Sequence, residues 1–377
     1  MAHAFTPGLK VTERAVVRKA RRLPLLGEVL VAKGQHVKAS DVVARTELPG
    51  KVFPANVANS LGILPEELPD VMKKKVGDNV ERGEVIAETP GLFGKYFKAR
   101  FESPITGFIE NISKVTGQVM LQEHPTPVEV QAYIDGVVTE VYEREGVEVT
   151  SPATFIQGIF GLGGERHGEV KVVCAKPTDV LEPDCIDESC RGKVLLGGAF
   201  ATLDAVHRAF DVGAAALVTG GFDYSDIKAL LGYEVGVAIT GGEKIPTTLI
   251  VTEGFGRIDM ARRTHALLAR HEGERASVNG ATQIRAGVIR PEVIIPKPED
   301  VSTEELGQPP EVKGLEVGDV IRCIRYPHFG RIGKVVALPP ELRKMESETE
   351  VRVLEVEFED GERAIVPRAN IEMIEDA

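Results

Sequence analysis

Short apolar runs separated by glycine turns recur along the first half of this chain and limit the folds it can adopt. The segment GEVLVAKGQHVKASDVVART has two such runs around Gly34, and KKVGDNVERGEVIAET repeats the arrangement around Gly77. FESPITGFIENISKVTGQVML and AYIDGVVTEVYEREGVEV follow the same rhythm. Regularly spaced short strands with tight turns are typical of a β-sandwich or barrel. The 39 glycines and 23 prolines also favour many turns over a helical bundle.

The middle of the chain has a different pattern, which predicts a parallel α/β layer. KVLLGG, AAALVTGG and TTLIVTEGFG read as buried strands, and a helical segment follows each one. Open parallel sheets bind ligands at the carboxyl ends of their strands, so glycines there are candidate nucleotide-binding residues. These glycines are Gly197, Gly198, Gly220, Gly221, Gly254 and Gly256, with Thr219, Thr240, Thr252, Glu253, Asn279 and Arg285 beside them. The alternative is that the glycines only join strands to helices.

The length of 377 residues and these patterns predict several domains. We expect a β region over residues 1–170, an α/β domain over 171–295, a linker rich in proline and acidic residues over 296–313, and a small β-barrel over 314–377. No stretch approaches the roughly 20 apolar residues of a membrane span, and no secretory segment is visible. Four cysteines fit a reducing compartment, so we expect a cytoplasmic protein without membrane insertion.

The charge is acidic overall, at −12, but a basic cluster lies near the amino terminus. An acidic balance argues against a general nucleic-acid coat. The basic cluster consists of Arg18, Lys19, Arg21 and Arg22. We consider two interpretations of it: a strand edge kept soluble by its charges, or a surface for head-to-tail contact between subunits.

The stretch from Val76 to Gly83, followed by the stretch from Ser103 to Ile109, resembles the barrel-sandwich hybrid of lipoyl and biotinyl domains. Covalent carriers of that family present a lysine in an M-K-M or D-K-A hairpin. This chain has GLFGKYFKARF instead, in which Lys95 and Lys98 lack those flanking residues. The resemblance therefore implies the fold and not the covalent attachment.

Two further segments, LPLLGEVLVAKGQHVKASDVVAR and GIFGLGGERHGEVKV, are similar to the electron-transport subunit RnfC. In RnfC and in the flavin subunit of respiratory NADH dehydrogenase, the second segment reads G-x-G-G-A-x-F-P, and Gly161, Gly163 and Gly164 match it. The resemblance implies FMN or a nucleotide as a possible cofactor. Glu165 departs from the motif, and an added carboxylate opposes anion binding. The family's C-x-x-C motifs are absent, so neither an iron–sulfur cluster nor another metal site is predicted.

The final section, with GDVIRCIRYPHFGRIGKVVAL, resembles the KOW or SH3-like barrels of transcription and ribosomal proteins. Those barrels bind RNA or protein. Because this section is acidic, protein contact is favoured and nucleic acid is the weaker alternative. A local basic and aromatic patch would carry either contact, and it consists of Arg322, Arg325, Tyr326, His328, Phe329 and Arg331.

The sequence contains no H-E-x-x-H, G-x-S-x-G or P-loop lysine motif. His265 and His271 are six positions apart and are expected to be solvated. The predicted fold class is therefore multidomain β and α/β: a barrel-sandwich hybrid, a parallel α/β layer and a small SH3-like β-barrel. The predicted function is a non-enzymatic scaffold or assembly protein that forms homo-oligomers and needs no cofactor. The alternatives are a flavin- or nucleotide-binding accessory subunit of a redox complex and a KOW-mediated RNA- or ribosome-associated factor.

Overall fold

The computed structural model describes residues 9–90, 98–232, 240–283, 289–297, 315–323, 328, 331–344, 350–358 and 361–374. Strands far outnumber helices in these residues and form several sheets, which confirms a β-rich chain. The helices in the described part of the chain include none with both the length and the apolar character needed to cross a bilayer.

The first β region contains short strands joined by tight turns, as the glycine spacing predicts. In chain order the strands are β1 (Val11–Arg22), β2 (Glu28–Val29), β3 (His36–Val37), β4 (Val42–Leu48), β5 (Val52–Ala55), β6 (Asn79–Val80), β7 (Val85–Glu88), β8 (Arg100–Glu102), β9 (Gly107–Ile112), β10 (Val119–Gln122), β11 (Thr126–Gln131), β12 (Gly136–Tyr142) and β13 (Gly146–Gln157). Helices α1 (Val57–Leu61) and α2 (Leu68–Val71) follow β5, with a 3-10 turn at Pro65–Glu67 between them.

Two copies of one backbone motif are nested within this region, and we call them the outer and inner units. The outer unit comprises residues 23–48 and 126–157, and the inner unit comprises residues 51–122. In the outer unit, Gly34 N donates to Val138 O (2.7 Å) and Val138 N donates to Gln35 O (2.9 Å). In the inner unit, Gly77 N donates to Ile109 O (2.7 Å) and Ile109 N donates to Asp78 O (3.0 Å).

The two units also share a hydrogen bond from a backbone N–H group to a side-chain oxygen. Ala39 N donates to Asp135 Oδ1 (2.6 Å) in the outer unit, and Arg82 N donates to Thr106 Oγ1 (3.2 Å) at the matching place in the inner unit. Gly34 and Gly77 both adopt the left-handed conformation, with φ of 84° and 91°. The repeated sequence pattern is thus a repeated set of hydrogen bonds.

The inner unit is inserted between β4 and β11, and its two ends touch. Glu123 N donates to Lys51 O (3.0 Å), and Gln122 Nε2 donates to Gly50 O (3.2 Å). Val80, Ile86 and other apolar residues give this unit a core of its own. The core of the outer unit instead includes Val17 of β1 and Ile294 from a distant strand.

The following section alternates strands and helices. Its strands are β14 (Phe160–Leu162), β15 (Glu165–Val172), β16 (Val180–Leu181), β17 (Val194–Leu196), β18 (Phe200–Ala201), β19 (Ala216–Phe222), β20 (Thr248–Phe255), β21 (Arg275–Asn279) and β22 (Glu292–Pro296). Its helices are α3 (Leu203–Val212), α4 (Tyr224–Leu231) and α5 (Arg262–Arg270), with 3-10 turns at Pro183–Cys185 and Glu188–Cys190. Helix α3 begins where Thr202 Oγ1 accepts from Ala205 N and ends at Gly213, whose φ of 77° is one that glycine adopts readily.

Strands β15, β17, β19 and β20 are parallel neighbours, which confirms the parallel strands expected in the middle of the chain. They belong to one 13-stranded sheet, whose main path runs β14-β20-β19-β17-β15-β21-β22-β13-β12-β3. Strand β1 pairs with β13 in the same sheet. Hydrogen bonding is therefore continuous across residue 170, and β22 joins the α/β strands to the outer unit.

The last section forms a separate six-stranded sheet around its own apolar core. The strands are β23 (Val320–Cys323), β24 (Ile332–Ala337), β25 (Leu342–Lys344), β26 (Glu350–Phe358), β27 (Arg363–Pro367) and β28 (Ile371–Ile374), with a 3-10 turn at Arg368–Asn370. The five pairings that the described residues of these strands form are antiparallel.

Candidate functional site

The glycine loop predicted from the flavin-type motif lies between β14 and β15 and packs against two other turns. Gly161 N donates to Thr282 Oγ1 (2.9 Å), and Gly161 O accepts from Thr240 Oγ1 (2.8 Å). Gly163 has a φ of 81°, so glycine is the residue that this turn requires. Gly164 O accepts from Thr248 Oγ1 (2.8 Å).

A carboxylate from the same chain occupies the backbone donors of this loop. Glu243 Oε2 accepts from Gly163 N (3.0 Å) and from Gly241 N (2.7 Å). Two converging backbone N–H groups form an anion-binding concavity. The loop therefore has the geometry to hold a negative charge, and in this structure it holds that of Glu243.

Glu165, the residue that departs from the motif, does not bind the glycine loop. Its two carboxylate oxygens accept from Arg21 Nη1 (2.7 Å) and Nη2 (2.6 Å). Sequence reasoning placed Thr240 and Asn279 near a crevice but missed Glu243 and Thr282. The adjacent glycines Gly241 and Gly242 indicated a turn at this place, but no motif in the sequence marked Glu243 as its acceptor.

The glycines at the carboxyl ends of the parallel strands pack closely against neighbouring backbone. A Cβ atom at Gly198 would collide with the carbonyl oxygen of Asp179, and one at Gly221 would collide with that of Gly256. At Gly220, a Cβ would lie 2.5 Å from Ile258 O. The loop after β20 therefore lies directly over the end of β19.

The remaining glycines of this set also lie where the loops after these strands pass close to neighbouring backbone. Gly197 N donates to Val218 O (2.8 Å), and Gly256 N donates to Phe222 O (2.9 Å). Gly254 and Gly256 have φ of 155° and 96°. These contacts agree with the structural interpretation of the glycines, in which they join strands to helices at close quarters.

The basic cluster of β1 faces acidic residues of the same chain. Lys19 Nζ donates to both oxygens of Glu292 (2.6 and 2.7 Å), and Arg22 Nη1 donates to Glu145 (3.0 Å). Arg22 also lies over the ring of Tyr142, at 4.1 Å from its centroid. Arg18 lies opposite Thr150 in the ladder with β13. This cluster therefore holds β1 to the sheet.

A buried tyrosine completes the contacts of the basic cluster. Tyr133 Oη donates to Glu292 Oε1 (3.1 Å), and Lys19 Nζ and Arg21 Cζ lie 5.8 and 5.3 Å from the centroid of its ring. Burial and the nearby Glu292 carboxylate raise the pKa of Tyr133 well above its usual range. Its φ is 72°, a conformation that residues other than glycine rarely adopt. Sequence reasoning gave no signal for this residue.

Two histidines expected to be solvated are buried, and that expectation was wrong. His265 is 6% exposed and its Nε2 lies 3.0 Å from Cys174 O. His271 is 5% exposed, with Nε2 at 3.0 Å from Thr154 Oγ1 and Nδ1 at 3.0 Å from Glu274 Oε1. Both side chains can be buried because polar atoms on neighbouring elements lie within hydrogen-bond distance of their ring nitrogens.

The candidate patch of the last section is described in part. Arg331 stacks on Phe358 at 3.8 Å from the ring centroid and pairs with Glu362 (2.7 Å), and the ring of His328 lies 5.1 Å from that of Phe358. Arg322 lies on β23 opposite Ile332 and Glu372. Arg325, Tyr326 and Phe329 lie outside the described residues. Arg331 thus meets an aromatic ring and a carboxylate of its own sheet.

Three observations on the described residues bear on metal, thiol and carrier chemistry. No group of three or more histidine, cysteine or acidic residues within the described ranges is arranged to hold a metal ion. Burial raises the pKa of Cys174 to about 12, so its thiol stays protonated at neutral pH. Lys98 pairs with Glu88 (2.6 Å), and Lys95 lies outside the described residues.

No protein-family model and no curated protein matches this chain. Among solved structures, part of the chain is similar to the crystal structure of the MjSpt4:Spt5 complex in conformation B. The sequence identity is 17%, and the alignment covers 26% of this chain and 77% of that one, with a TM-score of 0.13. A score this low supports no conclusion about fold or function.

Proposed function

We propose that this protein is a non-enzymatic scaffold or assembly protein that self-associates through protein–protein contacts. The observation that carries this proposal is the exposure of large apolar side chains at one end of each nested unit. At the outer unit, Leu25 and Leu26 are 46% and 58% exposed. Their loop is fixed to the β12–β13 hairpin, because Gly27 N donates to Arg144 O (2.8 Å). We call Leu25 and Leu26 the outer tip.

The inner unit exposes apolar side chains at the matching hairpin, between β9 and β10. Val115 in this hairpin is 88% exposed, and Leu64 is 65% exposed. The segment that contains Leu64 lies against the hairpin, since a Cβ at Gly117 would be 3.4 Å from Pro65. We call Leu64 and Val115 the inner tip. Exposed apolar side chains that lie near one another favour contact with another protein surface.

Sedimentation velocity over a range of protein concentrations tests this proposal. We expect the wild-type chain to form oligomers, and the double variants L25S/L26S and L64S/V115S to shift toward the monomer because each removes one apolar tip. Ile289→Ser is the matched control, since Ile289 is 49% exposed but lies opposite Gln283, away from both tips and from the last sheet. A wild-type chain that stays monomeric at every concentration and salt level would overturn the proposal.

The finer architecture belongs to the same proposal. We infer that each nested unit is a barrel-sandwich hybrid, supported by the matched turns at Gly34 and Gly77. The antiparallel last sheet, with Ile321 and Val356 in its apolar core, supports an SH3-like barrel that presents a further protein-binding surface. We place the protein in the cytoplasm because its cysteine content suits a reducing compartment.

A second candidate function is binding of a flavin or a nucleotide as an accessory subunit of a redox complex. The converging donors Gly163 N and Gly241 N favour it, because they already hold one anion, the Glu243 carboxylate. Glu243→Gln weakens this internal contact and would let FMN, NADH or ATP stabilise the protein against heat more than it stabilises wild type. Glu169→Gln, which breaks an exposed pair with Lys193, is the control. Equal absence of a shift in wild type and E243Q would exclude this candidate.

A further inference from the structure

Three large apolar side chains are exposed where the parallel strands β19 and β20 end, outside both apolar tips. Tyr224, Phe255 and Ile258 are 47%, 43% and 37% exposed. The rings of Tyr224 and Phe255 meet edge to face, with their centroids 5.2 Å apart. A Cβ at Gly254 would lie 3.2 Å from Ile258 Cδ1, so Ile258 lies next to the backbone just before Phe255. We call Tyr224, Phe255 and Ile258 the edge patch.

The ladder and the core fix the position of the edge patch. Phe255 lies opposite Phe222 in the parallel pairing of β19 and β20, and Gly256 N donates to Phe222 O (2.9 Å). The ring of Phe255 also contacts that of Phe160, which is 8% exposed, with 5.0 Å between the centroids. A partner that binds side chains fixed in this way does not have to order them first.

Acidic residues lie on one side of the edge patch. Helices α3 and α4 pack in one core with Leu195 and Leu217, so both helices lie on the sheet face to which these two side chains point. The first turns of the helices contain Asp204 and Asp226, and neither carboxylate forms an ion pair with the part of the chain that the structure describes. Burial and the nearby carboxylates of Asp223 and Asp204 raise the pKa of Asp226. The chain itself therefore leaves these negative charges without a counter-charge.

Basic residues lie on the other side of the edge patch. Leu267 of α5 packs in a core with Val218, the strand neighbour of Leu217. Because successive residues of a strand point to opposite faces, α5 lies on the sheet face opposite to α3 and α4. Its first turn contains Arg262 and Arg263 and no acidic residue. Two positive charges at the amino terminus of a helix oppose its dipole, and an acidic partner would offset this.

The loop before α5 adds to the basic side. Glu253 of β20 is half-buried, and its Oε1 accepts from Ala261 N (2.9 Å), which fixes the entry into the helix. Among the described residues, none forms an ion pair with the arginines of this side. The exposed charged side chains from the end of β20 to the first turn of α5 are one acid, Asp259, and three bases, Arg257, Arg262 and Arg263.

We propose that the edge patch is an interface with a second copy of this chain, related to the first by a two-fold axis. Such an axis places the acidic side of each copy against the basic side of the other, so that both charge contacts form at once. A partner of a single charge sign would be repelled by one of the two sides. Tyrosine, phenylalanine and arginine are also the residue types enriched in protein interfaces.

This interface goes beyond the proposed function, because it is a contact outside the apolar tips and does not require them. Reciprocal charge reversal, followed by sedimentation equilibrium of the full chain, tests it. The variants D204K/D226K and R262E/R263E each place like charges opposite one another, and each should weaken self-association by about tenfold or more. An equimolar mixture of the two variants restores opposite charges at both contacts and should associate as the wild type does.

The control is K33E/K38E, which reverses two exposed bases of the outer unit and should associate as the wild type does. Charge variants of the edge that behave like this control would overturn the interface, and so would a mixture that stays as weak as its components. If only the tip variants L25S/L26S and L64S/V115S dissociate, the proposed function stands without this interface. A wild-type chain that is monomeric at every concentration overturns both.

A second measurement does not depend on the charge variants. The chain contains no tryptophan, so Tyr224→Trp introduces a single indole and keeps an aromatic ring in the edge patch. The indole emission should shift to shorter wavelength as the protein concentration rises through the range of self-association, because the interface removes water from the ring. An emission that does not change while the chain associates would overturn the proposal.

Discussion

The outer and inner units share their turns but differ in how they meet the rest of the chain. At the corner before Ile134 the outer unit has Tyr133, and at the matching corner before Ile105 the inner unit has Pro104. Tyr133 is buried and contacts Glu292 of β22, whereas Pro104 is exposed. Ser277 Oγ also donates to Tyr133 O (2.5 Å). One backbone motif therefore forms part of a large sheet in one copy, and in the other it has its own sheets and its own core.

The difference shows that a few side chains, and not the motif itself, attach a unit to the 13-stranded sheet. The matched hydrogen bonds of both units involve backbone and short turn side chains. The attachment involves Tyr133, Lys19 and Glu292, which come from three distant places in the sequence. The following variants break or sharpen this comparison.

The largest effect is expected from Tyr133→Ala. Removing a buried aromatic side chain should lower the free energy of unfolding by about 3–5 kcal/mol. Pro104→Ala, at the exposed matching corner, should change it by less than about 0.5 kcal/mol. Urea unfolding followed by circular dichroism measures both. If the two variants lose the same free energy of unfolding, the residue at this corner matters for the turn itself and not for attachment to the large sheet.

Glu292→Ala should have the next largest effect. It leaves Lys19 and the Tyr133 hydroxyl without their shared partner at a site where Glu292 is 7% exposed, so we expect a loss of about 3 kcal/mol. Glu28→Ala breaks the exposed pair with Arg45 and should cost about 0–1 kcal/mol. The same urea titration compares them. A loss in E292A no larger than that in E28A would contradict the attachment role.

Gly34→Ala and Gly77→Ala test what the units share. Each glycine has a positive φ with open space where a Cβ would lie, so each substitution should cost about 1 kcal/mol through backbone strain alone. Gly242→Ala, also with open space but without a positive φ, is the control and should be nearly neutral. If both units use the same turn, the two losses measured by thermal unfolding will agree. A clear difference between them would mean that the turns are not equivalent.

The smallest expected effect is a change in how the stability of the inner unit depends on pH. Hydrogen bonds from Lys73 and Lys98 lower the pKa of Glu88 to about 2, whereas Arg45 occupies the matching position of the outer unit. Because the folded-state pKa is depressed, the stabilisation is complete above about pH 4.5 and is lost as pH falls toward 2. Glu88→Gln should therefore flatten the decline of the unfolding temperature over this range. An unchanged decline in E88Q would place the acid-sensitive groups elsewhere.

Local features of the fold could be predicted from the sequence, because their causes are local. The turns at Gly34 and Gly77 and the end of α3 at Gly213 follow from backbone conformations that glycine allows. The three strand and helix pairs of the α/β layer follow from apolar periodicity. The joining of that layer to the outer unit through β22 depends on pairings between residues far apart in the chain, which periodicity does not encode.

The candidate sites were predictable to a smaller extent. The glycine loop at Gly161 to Gly164 was visible as a motif, but its occupant, Glu243, comes from a turn after a different strand. The burial of His265 and His271 depended on Cys174 O and Thr154 as partners, and spacing along a helix says nothing about these. The predictions from sequence were therefore incomplete or wrong where a residue's environment depends on polar contacts with residues far away in the chain.

The contact between the two ends of the inner unit has a consequence for the order of folding. Strands β4 and β11 pair with each other although the whole inner unit separates them in the chain. Closing so long a loop from an unfolded chain is entropically unfavourable, but a folded inner unit already holds Lys51 and Glu123 together. We therefore expect the inner unit to fold before the outer one, with pulsed hydrogen exchange showing protection at Ile109 earlier than at Val138.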